Sequence, residues 1–298
     1  MAFVMGSGSA ALRKVIGEPF SRLKRKGREQ SDGSPAMLGD ESISTIIEGE
    51  IIPRLFMAHS AEISDRSKLS TSEIDPYDAS RFATLPLEAE AAELLEVVHA
   101  YLDDGVSVAS IYIDLLAPAA RKLGELWEAD ECDFVDVTMG LWRLQEVMRE
   151  IAHRAPPIIN AMSSPRSILV APLPGEQHSF GAIMLEDVFA RAGWNSQVLV
   201  EPGRGELLKC AAEKPFDVVG LTISRDCPSA SISHIISALR SVAANPHMCV
   251  MIGGRVVNET PGLVAEVGAD GTAPDARLAL NVAEELVQDA ISSVQHAR

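Results

Sequence analysis

A chain of 298 residues with 47% apolar content has room for one large domain or two ordinary ones, each with a sizeable core. Its formal net charge of −16 argues against a protein whose main surface coats nucleic acid. No apolar run reaches the roughly 18 residues that a membrane helix needs, and no basic-then-apolar leader pattern opens the chain. A cytoplasmic protein without a membrane partner is therefore expected. Cys132, Cys210, Cys227 and Cys249 form neither a CxxC pair nor a zinc-type spacing and read as reduced thiols.

The first segment, 1–84, reads as a flexible extension. It contains a Gly/Ser run at 6–9, then Arg13, Lys14, Arg22, Lys24, Arg25, Lys26 and Arg28 against only Glu18. Such an arm is either solvated or makes weak contact with DNA or an acidic partner. Apolar residues at helical spacing predict one helix over 43–57, complicated by Pro53. Residues 60–85 are polar and broken by Asp75–Pro76 and Leu85–Pro86, which suggests a linker.

From 85 to 160 the pattern is helical. Helices are expected over 86–102, 106–128 and 134–153, separated by short acidic or Asp/Gly breaks, forming a small bundle. After Pro156–Pro157 the rhythm changes. Short buried strands are expected at 167–171, 197–200, 218–224 and 249–252. Helices are expected at 179–192, 206–213, 229–242 and 276–295. This alternation predicts an α/β domain over 165–298, a doubly wound parallel sheet of Rossmann-like or flavodoxin-like type. Ligands on such sheets bind beyond the carboxyl ends of the strands.

Three strand-end loops hold the unusual residues. The first carries Glu176, Gln177, His178 and Gly181, the second Thr222 and Ser224, and the third Gly253–Gly254. A parallel sheet would gather them at one edge. Each has a plainer reading: His178 as a surface residue at a helix start, Thr222 and Ser224 as a strand end, Gly253–Gly254 as a tight turn.

Taken together, in this order, they resemble the vitamin B12 domain of methionine synthase, corrinoid methyl-transfer proteins and cobalamin-dependent regulators. That family carries D-x-H-x-x-G, S-x-L and G-G. The corresponding elements are Glu176-x-His178-x-x-Gly181, Thr222-Ile223-Ser224 and Gly253–Gly254, followed by Gly268–Ala269–Asp270–Gly271. Glu for Asp, Thr for Ser and Ser for Leu are departures. The resemblance implies that His178 coordinates cobalt from below and that Glu176 fixes its tautomer. It implies that Gly181, Gly253 and Gly254 make room for the nucleotide tail, and that Thr222 and Ser224 bond the displaced base. Gln177 and Gly271 are placed in the same site.

The helical part resembles the family's cap through Leu123–Gly124–Glu125–Leu126–Trp127. Trp127 is either a cover for the cofactor or a buried bundle tryptophan. Where light-sensing relatives carry a Glu–His pair after this Trp, this chain has Val137 and Thr138. The resemblance covers about residues 85–298.

Binding is not function. The extension, cap and altered loops resemble the AerR/PpaA antirepressors. That resemblance implies light-dependent binding of adenosyl-, methyl- or hydroxocobalamin. It further implies control of photosystem genes through a repressor of the PpsR/CrtJ type, with no catalysis by the chain itself. Light would break a cobalt–carbon bond, and the cap would change its packing. A corrinoid methyl carrier is the alternative. Haem in the same pocket is a third reading, because imidazole also suits iron.

Overall fold

The computed structural model describes residues 74–157, 166–225, 227–260 and 262–296. The expected helix at 43–57, the basic arm and the linker up to residue 73 lie outside the described residues. Asp75 opens the first helix, α1 (Pro76–Phe82), by accepting a hydrogen bond from the Tyr77 N–H at 2.8 Å. The Asp75–Pro76 pair, read above as a breaker, is thus a helix start: Pro at the first position loses no hydrogen bond there. A short turn, α2 (Leu85–Glu88), and α3 (Ala91–Asp103) follow. They divide the single helix expected over 86–102.

The next helix, α4, runs from Val108 to Glu128 in three continuous pieces. These are an α-helical turn (Val108–Ser110), a π-helical segment (Ile111–Leu116) and an α-helical remainder (Ala117–Glu128). Ser107 caps its start through the Ser110 N–H at 3.0 Å. Pro118 explains the wide turn. It has no N–H to donate, and its ring would press on the carbonyl four residues back. The turn opens, and Ala117 N–H bonds Tyr112 O, five residues back. Helix α5 (Phe134–Arg154) starts with a reciprocal box between Asp133 and Asp136, at 2.8 and 3.1 Å. Gly140 lets it close on α4, since a Cβ there would lie 2.9 Å from a Leu123 methyl.

The α/β domain follows the expected alternation. Its strands are β1 (Ser167–Pro172), β2 (Asn195–Val198), β3 (Val218–Thr222) and β4 (Cys249–Gly253). All pairings are parallel, in the order β2-β1-β3-β4. Helices α6 (Phe180–Arg191), α7 (Arg204–Glu213), α8 (Ser229–Val242) and α11 (Ala276–His296) match the expected positions within a few residues. Two short helices, α9 (Arg255–Glu259) and α10 (Leu263–Val267), were not expected. A bridge from Met251 to Gly271 continues the sheet beyond β4. Asp270 fixes that edge by accepting from the Val250 N–H at 2.6 Å and from Arg240 at 2.7 Å.

The sheet is buried on both faces. Leu169, Val219, Val250 and Ile252 pack with α7, α8 and α10; Ile168, Val170, Val218 and Met251 pack with α6 and α11. The bundle core includes Met184 and Val188 of α6, which seats the bundle on the α/β domain. Arg191 of α6 reinforces that seam. It pairs with Asp187 at 2.5 Å, donates to Ala155 O at 2.6 Å, and lies 5.8 Å from the Tyr112 ring centre. Among the described residues, no helix is long and apolar enough to cross a membrane.

Candidate functional site

The order β2-β1-β3-β4 reverses direction between β1 and β3, the position where an open parallel sheet leaves a crevice. The loops after these two strands carry Glu176, His178, Thr222 and Ser224. They are tied together by Leu173 N–H on Thr222 O at 3.0 Å. Gly175, at φ +91°, turns the first loop back toward the sheet.

This turn buries the Glu176 side chain to 5% exposure, while His178 two residues later stays 59% exposed. Glu176 uses both oxygens. Oε1 lies 2.9 Å from His178 Nδ1, and Oε2 accepts the Ser224 N–H at 2.9 Å. A carboxylate can only accept, so Nδ1 carries a proton, and in the neutral ring Nε2 keeps its lone pair. This arrangement fixes the tautomer and orients the imidazole for a metal. The longer Glu, in place of the family's Asp, spans from the second loop to the ring. Ser224 therefore joins the site through its backbone. Gln177 is exposed and contributes its backbone carbonyl to the Ser179 N–H at 3.1 Å.

Beside this pair a cleft of roughly 200 Å³ runs between the strand ends, α6, α11 and the π segment of α4. Gly181, Thr222, Ser224, Gly253 and Gly254 line it, with Ile113, Ala117 and Arg121 from the bundle. Thr222 Oγ1 is buried and has no hydrogen-bond partner among the described residues. Such a group costs stability unless a ligand or water meets it. A Cβ at Gly181 would meet nothing within 4 Å, and at Gly253 only Ala273 O at 3.9 Å, so these glycines leave open space.

Gly254 and Gly271 behave differently. At Gly254, φ is +111° and a Cβ would lie 2.5 Å from Ile223 O, so this glycine serves the turn itself. A Cβ at Gly271 would press on Val282 at 3.0 Å and Leu286 at 3.1 Å, which makes it a helix-packing position against α11. Trp127 is 49% exposed rather than buried in the bundle. Its neighbour Glu128 pairs with Arg255 at 3.4 Å, next to Gly254, which brings the end of α4 to the third loop. Phe134, also exposed, begins the following helix.

Burial pushes the Cys210 and Cys249 thiols up, away from the reactive thiolate. Among the described residues, no group of three or more His, Cys, Asp or Glu is placed to hold a metal. The donor set is one oriented imidazole beside a glycine-lined cleft with an orphaned hydroxyl. It fits a prosthetic group that brings its own equatorial ligands. His178 would hold the metal, and Gly181, Thr222 and Gly253 would receive a tail.

Comparison with known proteins agrees with this class. A B12 binding domain family model matches residues 79–151, which span most of α1 through α5 and so fall on the bundle rather than on the sheet. The structure of the Methanosarcina barkeri monomethylamine corrinoid protein superposes with a TM-score of 0.58 at 17% identity. It covers 70% of this chain and 96% of that one. The chain thus shares that structure's fold, an α/β domain preceded by a helical bundle. A Rhodobacter capsulatus protein, described as an uncharacterized 20.5 kDa protein in the bchF-crtJ intergenic region, is 26% identical over 176 residues. That alignment spans 59% of this chain and 91% of the relative.

Proposed function

We propose that this protein is a cobalamin-dependent regulator that acts through a repressor of the PpsR/CrtJ type on photosystem genes. The observation that carries the cobalamin reading is the imidazole of His178, held by a buried Glu176 whose other oxygen binds Ser224, a residue lining the adjacent glycine-lined cleft. The family match on the bundle supports the same ligand. The regulatory reading draws on the relative in the bchF-crtJ interval, whose position agrees with the CrtJ-type partner implied by the AerR/PpaA resemblance.

When bound, cobalamin supplies a cobalt–carbon bond that light can break. The chain's own residues do the rest. Glu176 would keep the proton on His178 Nδ1 and leave Nε2 as the nitrogen that would hold the metal. The bundle, joined to the α/β domain through Glu128–Arg255 and Asp114–Arg277, would change its packing with the state of the bound group. Different affinities of the two states for the repressor would make the switch. The basic arm would add weak DNA contact.

The corrinoid methyl carrier is the second reading, and the shared fold with the monomethylamine corrinoid protein favours it. Absorption spectra separate the readings. The protein is mixed in darkness with adenosyl-, methyl- and hydroxocobalamin and with haem, then illuminated, and its binding to the repressor is followed. His178-dependent cobalamin uptake with light-dependent repressor binding supports the regulator. Light-indifferent methylcobalamin uptake supports the carrier, and uptake of haem alone removes cobalamin.

A further inference from the structure

Among the described residues, the cleft has one cation in its wall, Arg121 of α4, and one carboxylate, Asp275. Asp275 is engaged at the start of α11, where Oδ1 accepts the Leu278 N–H at 2.9 Å. The acidic residues on α4 are also committed. Asp114 pairs with Arg277 at 2.9 Å, Glu125 with Lys122 at 3.5 Å, and Glu128 with Arg255 at 3.4 Å. Arg121 itself makes no ion pair or hydrogen bond among the described residues.

An unpaired exposed arginine is ordinary on an open surface. Here it lines a cleft that the buried apolar residues Ile168, Phe189 and Met251 also line. The cleft therefore offers buried apolar side chains from the sheet and α6 together with a guanidinium from the bundle, with Gly253 leaving backbone space. A ligand that matches has a flat apolar group at one end and a single anion further out. A planar guanidinium fork suits a phosphate oxygen pair.

Resting on the cobalamin reading above, we infer that Arg121 is the anion contact of the cleft. It binds the phosphodiester of the corrinoid's nucleotide tail, so that the protein selects tailed over tail-less corrinoids. The bundle thereby contributes to recognition of the tail as well as to covering the ring.

The test titrates the full chain with hydroxocobalamin, cobinamide phosphate and cobinamide, following the absorption spectrum. Wild type is compared with Arg121→Met and Arg121→Lys. Arg121→Met should weaken the two phosphate-bearing corrinoids about tenfold or more and leave cobinamide unchanged, as expected for one charge-assisted contact. Arg121→Lys, which keeps the charge but loses the fork, should fall between. Equal weakening of all three ligands, or none, overturns the assignment while leaving cobalamin binding intact. A wild-type protein that takes up none of them overturns both readings.

Discussion

Glu176 and His178 are two residues apart yet occupy opposite environments, with a buried carboxylate holding an exposed imidazole at 2.9 Å. The same carboxylate holds the Ser224 N–H, so one side chain ties the loops after β1 and β3 to the ring. Glu176→Ala frees the imidazole and leaves the Ser224 N–H without its partner. It should cost about 2 kcal/mol in denaturant unfolding and weaken cobalamin uptake at least tenfold. Glu176→Asp should fold better than Glu176→Ala but bind poorly, because the shorter chain does not reach both partners.

The glycines divide into two kinds by the space around them. Gly254→Ala should lower stability by about 3 kcal/mol or more, because the new Cβ meets Ile223 O and φ is +111°. Gly181→Ala and Gly253→Ala should leave the melting temperature nearly unchanged but reduce cobalamin affinity. Thermal melts and titrations on the same three variants check this separation.

Arg191 joins α6 to the end of α5 and to the Tyr112 ring, and its side chain is 14% exposed. Arg191→Met leaves Asp187 without its partner and Ala155 O without its donor. A loss of about 3 kcal/mol is expected. Hydrogen exchange should rise across the bundle more than across the sheet.

Tyr112 gives a pH signature. Burial first, and then the Asp187 carboxylate, push its phenol well above the usual value of 10.0. The unfolded chain ionises this group from about pH 10 while the folded chain keeps the proton. Its contribution is thus fully present below pH 10 and is lost as pH rises toward the folded value. Tyr112→Phe should flatten the alkaline fall in stability, measured by urea unfolding from neutral to high pH.

Much of this was legible in the sequence. The apolar stripe of α5 and the buried run of β1 predicted their elements within a residue or two. β2 was displaced because Asn195, Ser196 and Gln197 are polar, and its position follows from pairing with β1 (Ser167 opposite Asn195) rather than from its own hydrophobicity. The strand-end loops pointed to Gly181, Thr222, Ser224, Gly253 and Gly254, which line one cleft, and to Glu176 and His178, which are tied to that lining through Ser224. The separate duties of Gly254 and Gly271 depend on neighbours distant in the chain. Ile113 and Arg121 were missed because they reach the cleft only through helix packing. The one signal in the chain for the wide turn beside them was Pro118.

The most direct measurement is electron paramagnetic resonance of the cobalt(II) form bound to protein whose histidines carry the heavy nitrogen isotope. Ligation by His178 predicts that each cobalt line splits into a doublet, and that the splitting disappears in His178→Ala. A triplet, from the natural-abundance nitrogen of the cofactor's own base, would contradict His178 as the lower ligand.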